Sequence, residues 1–112
     1  MSSTYDATKS STRAETVMGF LESFSPAMEL KDVPGIGPVA STALHNNGCT
    51  TIQCLLGIYL TGVEKNKTMQ DTCNKFFMYV KGLCPKANAH TVTFAIAHLA
   101  DHLNLMKYQD WV

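Results

Sequence analysis

Two glycines separated by one residue lie near the middle of the 112-residue chain, in the segment LKDVPGIGPVA of residues 30–40. Gly35 and Gly37 carry no Cβ, so a large anion can approach the main chain closely. Pro38 suits the first position of a helix, where its missing N–H would have no intrahelical partner. The free amides of this turn and the positive end of the following helix together favour phosphate binding. The pattern is typical of a helix-hairpin-helix turn and predicts contact with the DNA backbone without base recognition.

The same segment has a simpler interpretation. A Gly-x-Gly turn can be a tight corner between two helices with no ligand, and a glycine pair alone is weak evidence for a binding site. The flanking residues favour the phosphate contact, because Val33-Pro34 precedes the glycines and Pro38-Val39-Ala40 follows them.

Features of an active site are missing from the sequence. It has no paired carboxylates and no nucleophile beside a base, and the glycine motif lacks the lysine and the strand that Walker and dinucleotide loops require. His98 and His102, one helical turn apart, could bind a metal, but without a neighbouring Glu or a cysteine cluster we interpret them as surface or interface histidines. We expect no enzymatic activity, no cofactor and no metal.

Four cysteines, Cys49, Cys54, Cys73 and Cys84, show no CxxC pairing or metal-ligand spacing. We interpret them as reduced, buried, small hydrophobic residues. Cys84 could be a reactive thiol, but no partner base is evident, so a buried structural role is favoured.

Composition limits the possible partners. Nine basic and nine acidic residues balance, so any contact with nucleic acid must be local. No apolar run approaches the roughly 18 residues needed to cross a bilayer, and we expect no membrane insertion. The polar N-terminus lacks a secretory signal, which indicates a nuclear or cytosolic protein.

The hydrophobic pattern predicts an all-α fold of about five helices, because no strand alternation occurs. We expect a flexible Ser/Thr-rich tail over 1–12, a single helical domain over 13–108 and a C-terminal tail over 109–112. Thr12 begins a capping box. Helices are predicted to end at Ser25-Pro26, Gly48 and Pro85, and to begin at Pro38, at Thr50 or Thr51, at Thr68 and at Asn88. A short helical turn is predicted over 29–33 and a polar loop over 62–67.

The predicted core consists of apolar residues at helical spacing on each segment. They are Val17, Met18, Leu21 and Phe24; Ile52, Leu55, Leu56, Tyr59 and Leu60; Met69, Cys73, Phe76, Phe77, Val80 and Leu83; and Val92, Ala95, Ile96, Leu99, Leu103 and Met106. Tyr79 joins Phe76 and Phe77 in an aromatic cluster that we assign to the core and a dimer contact rather than to base stacking.

Residues from Phe20 to about Leu105 resemble one known family. The similar residues are Phe20, the Gly35-Ile36-Gly37 turn, Val39, Leu44, Gly48, the segment Leu56-Gly57-Ile58-Tyr59-Leu60, Phe76, Cys84 and Ala87-Asn88-Ala89. On these motifs the chain resembles the barrier-to-autointegration factor family. The resemblance implies a compact SAM-like helical bundle with a helix-hairpin-helix motif, in a nuclear homodimer that binds and bridges double-stranded DNA non-specifically and organises chromatin and the nuclear envelope.

The resemblance also implies a set of DNA-contacting residues. They are Gly35, Ile36, Gly37, Pro38, Val39, Ala40, Thr42, Lys86 and His90. The family has lysines where this chain has Thr42 and Ala43, and a Lys and an Arg where it has Ala89 and Val92. Because each lost cation–phosphate pair removes salt-dependent affinity, we expect weaker DNA binding than the family norm.

Further expectations follow from the same resemblance. The dimer interface would include Leu56, Gly57, Tyr59 and Leu60, and a groove across the dimer would accept LEM domains of nuclear-envelope proteins. Ser2, Ser3 and Thr4 would be phosphorylation sites whose added negative charge repels the duplex. The alternative function is a divergent paralogue that keeps the dimer and the partner groove as a protein-interaction adaptor, with weak or no DNA binding.

Overall fold

In a computed structural model of the chain, residues 14–25, 27–61, 69–85 and 87–103 are described, and all of their regular structure is helical. The elements are α1 (Ala14–Ser23), a 3-10 helix (Leu30–Asp32), α2 (Pro38–Asn46), α3 (Ile52–Thr61), α4 (Met69–Leu83) and α5 (Ala89–His102). The predicted all-α fold with five helices is confirmed. The predicted tails over 1–12 and 109–112, Thr12 and the loop over 62–67 lie outside the described residues. Among the described helices, none has the length and apolar character to cross a membrane.

The α2 helix has the predicted boundaries. Gly37 is its N-cap residue and Pro38 occupies its first turn. At the other end Gly48 has a φ of 85°, and its N–H donates to the His45 carbonyl at 3.1 Å. The Cys49 N–H donates to the Leu44 carbonyl at 2.9 Å. This pair of bonds is a Schellman motif, which satisfies the last carbonyls of the helix.

Side-chain caps define the starts of two other helices. The Thr51 hydroxyl accepts from the Cys54 N–H at 3.0 Å, so Thr51 rather than Thr50 caps α3. The Asn88 side chain accepts from the Thr91 N–H at 3.1 Å and caps α5 as predicted. Both bonds satisfy amides that have no intrahelical partner.

The core is built around α5, which packs against α1, α3 and α4. Nine of the 14 residues of α5 are buried. The prediction of one buried stripe on α5 was therefore incomplete, because Thr91, Thr93 and Ala97 are buried as well as Val92 and its stripe. Leu103 was wrongly assigned to the core: it is 38% exposed, since it is the C-cap residue beyond the last turn.

The other predicted faces are mostly buried, but Phe24, Leu60 and Leu83 are only half-buried. The side chain of Met69 lies outside the described residues. Met18 on α1 is 54% exposed, whereas Phe20 is buried beside Val17 and Leu21, so the expected position of Met18 in the core is wrong. The predicted positions that are buried on α3 and α4 are Ile52, Leu55, Leu56, Tyr59, Cys73, Phe76, Phe77 and Val80. Thr72 on α4, which was not predicted, is buried as well.

Candidate nucleic-acid interface

The hairpin begins with a tight turn over residues 33–36. The Ile36 N–H donates to the Val33 carbonyl at 3.0 Å, and Gly35 has a φ of 92°. A proline followed by a glycine with positive φ is typical of a type II turn. Both Val33 and Ile36 are buried, so the turn is anchored in the core on each side.

Gly35 contacts the first turn of α5. A Cβ at this position would lie 2.9 Å from Val92 Cγ2 and 3.1 Å from the Thr91 Cβ. The space on the Cβ side of Gly35 is therefore occupied by α5, while the rest of the residue is exposed. Gly35 is required by its φ and by this close packing, and it holds the hairpin against α5.

Gly37 is different, because it lies in the open. It has a φ of −99°, and no heavy atom lies within 4 Å of an added Cβ. Its neighbours Pro38 and Val39 are also exposed, Val39 by 76%. No side chain caps this end of α2, and the N–H groups of Gly37 and Val39 have no hydrogen-bond acceptor within the described part of the chain.

A groove with a volume of about 580 Å³ runs between the start of α2 and the connection from α4 to α5. It is lined by Gly35, Gly37, Pro38, Val39, Ala40, Ala43, Leu83, Cys84, Pro85, Ala87 and Asn88. None of these lining residues is charged. Residues 83–85 were not predicted to lie beside the hairpin, because the periodicity within α2 and α4 does not show how the two helices pack. The one sequence feature that could have indicated this contact is the short connection between Pro85 and Asn88.

Two polar side chains that were predicted to contact DNA interact with other residues of the chain. The Thr42 hydroxyl donates to the Pro38 carbonyl at 2.9 Å. The His90 ring centroid lies 4.4 Å from that of Phe77, and Lys86 lies outside the described residues. Within the described residues, the predicted contact set therefore offers main-chain amides and no lysine or arginine.

Charges just before the hairpin do not add a positive patch. The Lys31 ammonium lies 3.6 Å from the Glu29 carboxylate, and the Asp32 carboxylate accepts from the Glu29 N–H at 2.9 Å. These three side chains carry one positive and two negative charges. Among the described residues of the hairpin, attraction for phosphate therefore comes from the amides and the helix dipole.

The residues expected at a dimer interface divide into two groups. Leu56 and Tyr59 are buried by packing within the chain itself, and the Tyr59 hydroxyl lies 3.7 Å from Cys73 Sγ. Gly57 is exposed and Leu60 is half-buried, so only these two are available at the surface. The proposed phosphorylation sites Ser2, Ser3 and Thr4 lie outside the described residues.

Of the two predicted α5 histidines, His98 packs within the chain, whereas His102 is exposed. The His98 ring centroid lies 4.3 Å from the Phe94 centroid in an edge-on contact, and burial lowers the pKa of His98 while Asp101 acts in the opposite direction. Across the described ranges, no group of three or more His, Cys, Asp or Glu side chains is arranged to hold a metal ion.

No protein-family model, curated protein or solved structure matches this chain significantly. The similarity to the barrier-to-autointegration factor family therefore depends on the short motifs given above.

Proposed function

We propose that the hairpin over Gly35–Ala40 binds the phosphate backbone of double-stranded DNA without reading its sequence. The observation that carries this proposal is the exposed start of α2, where the N–H groups of Gly37 and Val39 have no acceptor within the described residues. An uncapped helix N-terminus presents both hydrogen-bond donors and a partial positive charge, which suits a phosphate oxygen.

Each residue of the tip has a distinct part in this interaction. Ile36 anchors the turn in the core, and the open space around Gly37 lets a phosphate approach the main chain. Pro38 has no N–H to leave unpaired. The exposed Val39 supplies its amide and covers the sugar edge with an apolar side chain.

The neutral surroundings determine how strong the binding should be. The logarithm of the binding constant for B-form DNA falls with the logarithm of the salt concentration. Each lysine or arginine that neutralises a phosphate adds about −0.9 to this slope. With amides as the main donors we expect a shallow slope. We also expect affinity in the weak part of the range of about 1–100 µM that is typical of non-specific binding.

Bridging of two duplexes is the second part of the proposal and depends on the homodimer that the resemblance implies. A two-fold dimer carries one hairpin on each subunit. Light scattering coupled to size-exclusion chromatography tests this part, since it gives the mass of the protein alone and of its duplex complex. We expect a dimer, and a monomeric mass for the free protein and its complex would contradict bridging.

Gly37→Glu is the sharpest test of the phosphate contact. Its side chain projects into open space, so the fold is retained, but its carboxylate lies beside the amides and repels the backbone. We expect at least a tenfold loss of duplex affinity, measured by fluorescence anisotropy at several salt concentrations. Gly37→Ala is the matched control and should bind nearly as the natural chain does.

The outcome that contradicts the proposal is equal duplex affinity for Gly37→Glu and Gly37→Ala, with circular dichroism showing both folded. Gly35→Glu is not a suitable probe. A side chain there would collide with Val92 and Thr91, and lost binding could then reflect lost folding.

A second candidate function is a protein-interaction adaptor with little DNA affinity. The described lining of the groove between α2 and the α4–α5 connection is uncharged. It favours an adaptor, because apolar grooves of this size accept protein segments more readily than phosphates. Substituting lysine at Thr42 and Ala43 together should then create strong duplex binding where little existed. Measurable binding by the natural chain at physiological salt would exclude an adaptor that lacks DNA affinity.

A further inference from the structure

Two thiols meet where α2 connects to α3. Cys49 follows the Schellman turn and is buried, whereas Cys54 lies in the first turn of α3 and is half-buried. Cys49 Sγ lies 4.0 Å from the Thr51 carbonyl oxygen, and Cys54 Sγ lies 3.9 Å from the Gly48 carbonyl oxygen. Each sulfur thus folds back across the connection, so both thiols lie against the same short segment, residues 48–51.

We propose that Cys49 and Cys54 form a redox-active pair that hydrogen peroxide converts into an intramolecular disulfide. The proposal does not depend on DNA binding. It adds a modification site at the end of α2 opposite the hairpin, about 14 Å away along a nine-residue helix.

The reaction has two balanced steps. Cys54 Sγ attacks one peroxide oxygen, so that an S–O bond forms, the O–O bond breaks and water leaves, giving a sulfenic acid. Cys49 Sγ then attacks the sulfenic sulfur, the S–S bond forms, the S–O bond breaks and a second water leaves. Overall the two thiols lose two electrons and two protons, and peroxide is reduced to two waters.

The surroundings of the two thiols determine which of them reacts with peroxide first. Cys54 is accessible to a small oxidant, whereas Cys49 is 1% exposed. Burial, followed by the hydrogen bond and charge of Cys54, raises the pKa of Cys49 to about 12. Cys49 therefore stays a thiol and reacts slowly with peroxide itself. Its position against the same connection as Cys54 makes it the resolving residue once a sulfenic acid has formed.

The remaining cysteines have other partners. Cys73 Sγ lies 3.7 Å from the Tyr59 hydroxyl in the core, and Cys84 Sγ donates to the Ala40 carbonyl at 3.8 Å. Cys84 is the competitor to test, because Cys49, Cys54 and Cys84 each contribute to raising the pKa of Tyr79, which burial raises most. The shared position of Cys49 and Cys54 against residues 48–51 favours their pairing.

Tryptic mapping separates the possible pairings. Cleavage after lysine places both Cys49 and Cys54 in the peptide 32–65, Cys73 in 68–75 and Cys84 in 82–86. The native full-length chain is treated with hydrogen peroxide, then blocked with N-ethylmaleimide and digested. We expect peptide 32–65 to become lighter by two hydrogens and to carry no maleimide, and dithiothreitol should restore both labels.

Variants and denaturant provide the controls. Cys49→Ser and Cys54→Ser should each abolish the change in 32–65, while Cys84→Ser should leave it intact. Because the natural chain alone gives the peptide map, the result does not require these variants to fold. In concentrated urea the pair should form at least tenfold more slowly than in the native protein.

Three results would overturn the proposal. One is a doubly labelled peptide 32–65 after oxidation of the native chain. Another is a disulfide that joins 32–65 to 82–86 or to a second copy of the chain. The third is equal disulfide formation in native and urea-unfolded protein, which would show that chain proximity alone accounts for the pair.

Discussion

Gly35 is the residue whose substitution should affect stability most clearly within the hairpin. Alanine at a φ of 92° costs about 1–2 kcal/mol, because its Cβ crowds the main chain. Overpacking against Val92 and Thr91 adds about 1–3 kcal/mol. We therefore expect Gly35→Ala to lower the free energy of unfolding by about 2–5 kcal/mol, measured by urea denaturation.

Gly37→Ala provides the matched control for that measurement. Its φ of −99° is open to any residue, and nothing lies within 4 Å of the added Cβ. Its stability should stay within about 0.5 kcal/mol of the natural chain. Equal stability of the two alanine variants would show that Gly35 does not pack against α5 as described.

At the scale of elements, helix α3 depends on its cap. Thr51→Ala removes the hydroxyl that accepts from the Cys54 N–H, and we expect a loss of about 1 kcal/mol in the free energy of unfolding. Thr50→Ala is the control, since Thr50 is exposed and does not supply the cap. Urea denaturation of both variants tests this prediction, and an equal loss in the two would contradict it.

The boundaries of the helices were predictable because single residues determine them. Pro38, Gly48, Pro85 and Asn88 act through their own backbone conformation or their own side-chain oxygen, and these effects are local. For the same reason, the sequence limited the cap of α3 to two candidates, Thr50 and Thr51. Patterns of this kind do not show how the finished helices pack against one another.

The errors follow from that limit. Met18 lies at helical spacing with Val17 and Leu21 but faces solvent, because the neighbouring helices do not cover that side of α1. Burial of α5 on several sides could not be inferred from its stripe, since alanine and threonine at the other positions are compatible with either environment. Likewise, the packing of Gly35 on α5 joins residues more than 50 positions apart in the sequence.

For the whole molecule, the position of His98 on the central helix predicts a pH dependence of stability. Burial lowers its pKa below the value of 6.5 for an exposed histidine. The unfolded chain therefore binds a proton more readily than the folded one. The free energy of unfolding should decrease as the pH falls from about 7 to about 5, through the pKa of the unfolded chain.

Urea denaturation at several pH values measures this effect. His98→Gln should flatten the profile over that interval. His45→Gln, at an exposed position near the end of α2, should retain the slope of the natural chain. An unchanged slope in His98→Gln would assign the pH dependence to other groups.

The close contact of Gly35 with the first turn of α5 has one more consequence. A loop that must become ordered when its ligand arrives loses conformational entropy at that moment, and its affinity is reduced accordingly. Here the turn is already fixed by its own hydrogen bond, by two buried side chains and by α5. The tip is preorganised, so the DNA binding proposed at the start of α2 would require little rearrangement of the protein.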